Sequence, residues 1–296
     1  MSKTDIYDIV SERILETIKK SGKLPWVKEW RSMDLHPANG VSKRPYDPYG
    51  INFFILSQAP YSSPYYLSFK QVGSLGGTVK KGERGWPIVF WKIKVYENTK
   101  SDGEKEVKTI PLLRYYTVFN VEQCEGIDIP YQKPLEANHD TIAAAEKIIH
   151  EYKDGPKIEI KESSRAYYVP STDEVVMPKL SQFSTPEAYY STFFHELGHS
   201  TGHKKRLDRK EMYALDKGKH GYGVEELTAE LCAAFLCATA GIGNDTTEHN
   251  SAAYLKHWMD AIKEDTKLFV SAASKAGRAA KYILGIKKEE TEKEEN

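Results

Sequence analysis

The stretch STPEAYYSTFFHELGHSTGH, residues 184–203, restricts this chain more than any other, because it writes a helix and a pair of ligands into the same twenty residues. Ser184 and Thr185 stand before Pro186 and Glu187. A hydroxyl can cap free N–H groups, proline fits the first helical turn, and Ser184-x-x-Glu187 has the form of a capping box. A helix is predicted from Ser184 or Thr185 to Gly202. Its period stacks His195 over His199 on one face, while Tyr190, Phe193, Phe194 and Leu197 form a neighbouring apolar stripe that faces a core.

His195, Glu196 and His199 make the pattern H-E-x-x-H. Two imidazoles one turn apart suit two corners of a tetrahedral zinc site, and a glutamate beside them suits a general base for hydrolysis. A third protein ligand is required. The longer pattern H-E-x-x-H-x-x-G-x-x-H holds as far as Gly202 and then fails, since Lys205 stands where the third histidine belongs. His203 would have to fold back from the same helix end. The second candidate is a carboxylate of the later run GVEELTAELCAAF, where Glu226 and Glu230 lie one turn apart. One would ligate the metal and the other would accept a hydrogen bond from the outer ring nitrogen of a ligand histidine. Upstream of that run, Tyr222 and His220 in a loop KHGYG could stabilise an oxyanion. The opposing reading makes the histidines ordinary helix residues, the glutamates a solvated face and Tyr222 a packing aromatic.

Hydrophobic periodicity places the other elements. IYDIVSERILETI near the N-terminus is an amphipathic helix rather than a signal peptide, and no run of eighteen apolar residues occurs, so a cytoplasmic protein is expected. A second helix begins near Ile51. PIVFWKIKVYE alternates Val89, Trp91, Ile93 and Val95 onto one face and pairs with IPLLRYYTVFN across a polar tip, a β-hairpin. AYYVPSTDEVVMP reads as a second hairpin turning at Ser171 to Asp173, with an edge strand on which an extended peptide could pair. Three helices are predicted from residue 184 onward: the one carrying the histidines, VEELTAELCAAFLCATAG, and one from near Ser251 that carries Tyr254, Trp258, Ile262 and Phe269. The tail KKEETEKEEN is charged and expected to be disordered. Cys124, Cys232 and Cys237 form no C-x-x-C pair and are odd in number, which argues against disulfides and cysteine-ligated zinc.

Zero net charge conceals an uneven distribution. Residues 1–135 hold twenty Lys and Arg against fifteen Asp and Glu, and four of the five tryptophans. Trp26, Trp30, Tyr46, Tyr49 and Trp86 interleave with Lys28, Arg31, Lys43, Arg44, Lys80, Lys81 and Arg84. Rings that stack on unpaired bases beside cations that meet phosphates suit single-stranded nucleic acid. The opposing reading puts the tryptophans in a core and the lysines in solvent. The contrast between the halves predicts an α+β protein of two domains, residues 1–130 and 138–286, followed by a tail at 287–296.

LPWVKEW, PANG, KRPYDPYGIN, FKQVGSLGGTVKKGERGWPIVFWK and VFNVEQCEGI resemble the N-terminal domain of the ArdC family of plasmid antirestriction proteins, a domain also found in conjugation-associated primases. MPKLSQFSTPEAYYSTFFHELGHSTGHKKRLDR and YGVEELTAELCAAFL resemble the zincin-like metallopeptidase domain of the same family. The two resemblances cover nearly the whole chain in the family's order. They imply a first domain that prefers single-stranded DNA and a second with a peptidase fold acting on DNA-bound proteins. They also imply one zinc held by His195, His199 and Glu226, with Glu196 as base and protection of entering plasmid DNA from host restriction. A rival in another class is a non-catalytic protein that protects DNA by occupancy, with zinc stapling the fold. A priming activity lacks clustered aspartates or a nucleotide motif to carry it.

Overall fold

The computed structural model describes residues 5–24, 26, 36–99, 105–130, 141–213, 219–243 and 252–287. Helix α1 (Ile6–Ser21) starts at Asp5, whose carboxylate accepts from the Tyr7 N–H, and stops at Gly22 in the left-handed conformation. Val10, Ile14 and Ile18, one helical face, are buried. Helix α2 (Ile51–Ser57) begins where the hydrophobic pattern predicts it. A mixed sheet follows in the order β1 (Ala38–Asn39), β2 (Tyr65–Ser68), β5 (Lys105–Asn120), β4 (Trp86–Thr99). Between β2 and β4 lie helix α3 (Phe69–Ser74) and strand β3 (Thr78–Val79), and β3 pairs with β6 (Cys124–Glu125).

The predicted hairpin is β4 with β5, in antiparallel register from Trp86↔Val118 to Thr99↔Lys105. It is longer than the apolar pattern indicated, since pairing continues into residues expected to form the polar tip. Strand β4 is an edge, and its outward N–H and C=O at Val89 are closed by the Asn52 side chain, at 2.8 Å each.

Helix α4 (Thr141–Glu151) opens the second half, and strands β7 (Lys157–Lys161), β8 (Tyr167–Val169) and β9 (Glu174–Pro178) form a sheet ordered β7-β9-β8. The second hairpin is β8 antiparallel to β9, with β8 at the edge. Helix α5 (Pro186–Ser200) carries the histidines. Its cap is Thr185, which accepts from the Ala188 N–H at 3.1 Å; no Ser184–Glu187 box forms, because the turn starts one residue later. Helix α6 (Lys219–Ala240) is the central rod, buried on several sides through Leu227, Leu231, Phe235 and Leu236. It begins upstream of the predicted start, so His220 and Tyr222 are helical and not in a loop. Packing of the apolar turns beyond Gly223 outweighs the roughly 1 kcal/mol that each glycine costs a helix.

The helix predicted from Ser251 is two, α7 (Ala252–Glu264) and α8 (Leu268–Ile283). Asp265 breaks it: its carboxylate accepts from the Lys267 N–H, and the Thr266 carbonyl accepts from the Ser11 hydroxyl of α1. From residue 131 onward the expected linker, DIPYQKPLEANHD at roughly 128–140, lies outside the described residues, as does almost all of the charged tail.

One hydrophobic core runs through both halves of the sequence. Trp26 stands edge-on to Trp258 at 6.1 Å and lies 5.7 Å from Phe269, and Phe54 lies 4.5 Å from Phe235. On α8, a Cβ at Gly277 would meet the carbonyl oxygen of Tyr49 at 1.9 Å, so only glycine allows this approach between the halves.

Candidate metal centre

The close approach of α5 to α6 builds the site. A Cβ at Gly198 would lie 3.2 Å from the Ala229 Cα and 3.3 Å from its carbonyl oxygen, so the glycine inside H-E-L-G-H lets the two helices meet. His195 and His199 of α5 then face Glu226 of α6. Their Nε2 atoms are 3.0 Å apart, His195 Nε2 is 3.7 Å from Glu226 Oε2, and His199 Nε2 is 3.6 Å from Glu226 Oε1.

One donor atom from each of the three lies within 4.8 Å of the other two. Donors at about 2.0–2.1 Å around a tetrahedral ion are separated by roughly 3.3 Å, close to the observed spacings. Charge points the same way. Burial alone would lower His199, yet the carboxylates of Glu225 and Glu226 overcome it and hold the ring up to about 10. Burial would raise Glu226, yet the two imidazoles pull it far down. A carboxylate facing two partly buried rings favours positive charge between them, and a divalent cation would supply it while displacing the imidazole protons.

Of the two open candidates for third donor, Glu226 faces the histidines. Glu230 does not take the supporting part expected of it; it accepts from the Tyr254 hydroxyl and so ties α6 to α7. The outer nitrogen of His199 meets Glu225 instead, Nδ1 to Oε1 at 3.2 Å. Glu225 is in turn clamped by Arg209, whose Nε and Nη2 donate at 2.8 and 2.6 Å. Both are almost fully buried, and Arg209 also donates to the carbonyl of Gly198 at 2.9 Å. No sequence signal separated Glu225 from its neighbour Glu226, and Arg209 follows a turn at Asp208 that carries no motif.

An open cleft of about 320 Å³ runs over this centre, lined by His195, Glu196 and His199 on one side and Arg165 to Tyr168 on the other. The edge strand β8 forms that second wall. It is held by Arg206, which donates to both carboxylate oxygens of Asp173, to Tyr168 and to the Ser200 carbonyl at the end of α5. His203, set aside as a ligand, lies 3.7 Å from Asp173 on this side network. The side chain of Tyr222 lies outside the described residues.

The residues expected to touch nucleic acid divide differently. Trp26 is fully buried, which corrects its assignment as a stacking platform: its ring packs against Trp258 of α7 and Phe269 of α8. Trp30 lies outside the described residues. Tyr46 and Tyr49 are half-buried against the shared core, with Tyr49 edge-on to Phe235 at 6.0 Å. Arg84 is paired with Glu16 at 2.7 Å, Lys80 donates to the Glu122 carbonyl, and Lys43 caps the Tyr65 ring at 3.6 Å. Arg44 and Lys81 are exposed.

Comparison with known proteins agrees with this architecture. Residues 4–119 match the N-terminal domain of anti-restriction factor ArdC, and residues 143–275 match a zincin-like metallopeptidase domain. Two Escherichia coli proteins named DNA primase TraC are 34% and 32% identical over 99% and 98% of this chain, which spans only 28% and 20% of their length. An uncharacterized protein, y4eC of Sinorhizobium fredii, is 32% identical over 95% of this chain and 92% of its own. Crystal structures of the antirestriction protein ArdC from plasmid R388, metal-free and Mn(II)-bound, superpose with TM-scores of 0.68 and 0.69 at 33% identity. Each covers 95% of this chain, with 97% and 98% of the ArdC chain matched. The chain therefore belongs to the ArdC family of antirestriction proteins, an ArdC N-terminal domain joined to a zincin-like metallopeptidase domain with a centre fitted to a divalent metal.

Proposed function

We propose that this protein binds single-stranded DNA through its N-terminal half and hydrolyses peptide bonds of DNA-bound host proteins at a one-zinc centre, protecting incoming plasmid DNA from restriction in the bacterial cytoplasm. The observation that carries the reading is the convergence of His195, His199 and Glu226 in a cleft that also contains Glu196 and one edge of a sheet. His195, His199 and Glu226 would hold the ion. A bound zinc ion polarises a carbonyl and acidifies water.

The chain's own residues supply the rest. Glu225, clamped by Arg209, accepts from the Nδ1–H of His199 and thereby leaves Nε2 as the lone pair that faces the centre. Glu196 takes the proton from the attacking water and delivers it to the leaving amine. The free backbone edge of β8 aligns an extended peptide by strand addition, held at a fixed height by the Arg206–Asp173 clamp. Arg44 and Lys81 of the first domain add cationic surface to its positive charge balance, which supports the DNA reading.

The test is cleavage of a protein bound to single-stranded DNA by the zinc-loaded chain, with Glu196→Gln as the blank. Cleavage that DNA stimulates and the variant loses, with metal content unchanged, is expected. A fully loaded wild type that binds DNA and cuts nothing refutes the peptidase reading and leaves protection by occupancy.

A further inference from the structure

The β4–β5 hairpin sorts its side chains by face. The pleat and the register place Phe90, Lys92 and Lys94 of β4 on the same side as Tyr116, Arg114, Leu112 and Ile110 of β5. Val89, Trp91, Ile93 and Val95 lie on the opposite side with Tyr115 and Leu113. Among the described side chains of the hairpin, every cation is on the first face and no carboxylate accompanies them. Phe90 and Tyr116 are parallel on that face, 10° between planes and 4.9 Å between centroids, and the Tyr116 residue is 61% exposed. Arg114 stands directly across from Phe90, and Lys92, Lys94 and Arg114 are exposed.

We propose that this face of the hairpin is the surface on which single-stranded DNA lies, an inference that rests on the DNA-binding half of the proposed function. A stacked ring pair with one open side continues naturally into a stack of unpaired bases. Cations at alternate positions of one strand, with another across from them, follow a phosphate backbone, and among the described side chains of this face no acid opposes it. Duplex DNA keeps its base faces paired and stacked internally, so a flat aromatic platform selects single strands. The same alternation explains why motif reading overlooked the site: cations and rings two residues apart look like solvated strand positions until the register shows them on one side. Of the described residues first expected to bind, Trp26 is buried and Arg84, Lys80 and Lys43 are engaged, whereas this face carries an exposed ring, Tyr116, beside exposed cations.

The experiment measures binding of a fluorescent oligothymidylate to the full-length protein across a salt series. Lys92→Glu with Arg114→Glu is expected to weaken binding more than tenfold and to reduce the salt slope by about 1.4, from roughly 0.7 per phosphate contact on single strands. Tyr116→Val, which keeps a strand-forming residue, is expected to lose roughly tenfold, the worth of one stacked base, with the slope retained. Ile93→Thr on the other face is expected to bind as wild type. Photocrosslinking of an iodouracil oligonucleotide is expected to label Phe90 or Tyr116, a readout that mere misfolding cannot produce. Variants that melt as wild type and bind as wild type, or crosslinks confined to other segments, overturn the hairpin site while leaving DNA binding intact. A wild type that fails to bind the oligonucleotide overturns the DNA-binding reading itself, and the site with it.

Discussion

Replacing Glu225 by Gln tests whether the metal centre depends on a residue that touches no substrate. The carboxylate receives two hydrogen bonds from Arg209, at 2.8 and 2.6 Å, and meets His199 Nδ1 at 3.2 Å. Glutamine preserves volume but removes the charge and one acceptor. Arg209, with 5% of its side chain exposed, is left cationic without its counter-ion. Breaking a buried pair from one side costs about 3–5 kcal/mol, and the hydrogen bond that the amide oxygen retains places this case near the lower figure, about 3 kcal/mol. For a chain of this size that corresponds to a fall in Tm of roughly 5 °C. Loss of the acceptor at Nδ1 frees the His199 ring to take either tautomer, and metal affinity falls about 10- to 100-fold. Thermal unfolding gives the first quantity, and competition of the folded variant against a zinc chelator gives the second. A variant that melts within 1 °C of wild type and binds zinc equally well refutes the account, because Arg209 and Glu225 would then be solvated and His199 oriented by something else.

Gly277→Ala would ordinarily stabilise a helix by about 1 kcal/mol. Here the new Cβ meets a backbone oxygen at 1.9 Å, so overpacking of about 1–3 kcal/mol or more prevails and a lower Tm is expected in thermal unfolding; a higher Tm would show that α8 and Tyr49 do not touch. Asp173→Asn tests the clamp on β8 through pH. Burial would raise the Asp173 carboxyl, but hydrogen bonds from Arg206 and Tyr168 hold it below its ordinary value, so its contribution is full above about pH 4 and fades as pH falls through the folded value. The wild-type advantage over the variant in chemical denaturation should therefore shrink in acid, and an advantage that is constant or grows there contradicts the assignment.

Local features were legible because backbone geometry fixes them. The stacking of His195 over His199, the amphipathic face of α1, and the alternation along β4 depend on neighbours within a few residues. Boundaries were less legible where side chains and packing compete: Asp265 and Thr266 split a periodic pattern into two helices, and α6 absorbed two glycines. Trp26 resisted reading for another reason. An aromatic ring in a turn has the same local sequence whether it faces water or a core, and only the arrival of α7 and α8 decided that it is buried.

The sequence by itself therefore determined the pair of histidines, the glutamate between them, and the hairpin with the apolar alternation of its first strand. Tertiary structure set Glu226, and not Glu230, beside the two histidines and brought in Glu225 and Arg209, which no motif announced. It also joined the two halves through one core. The reason is physical: three glutamates within six residues of one helix are equivalent until the helix is rotated and docked. That rotation is set by where α5 can approach α6, at Gly198 against Ala229, a contact between residues that lie thirty-one positions apart in the chain.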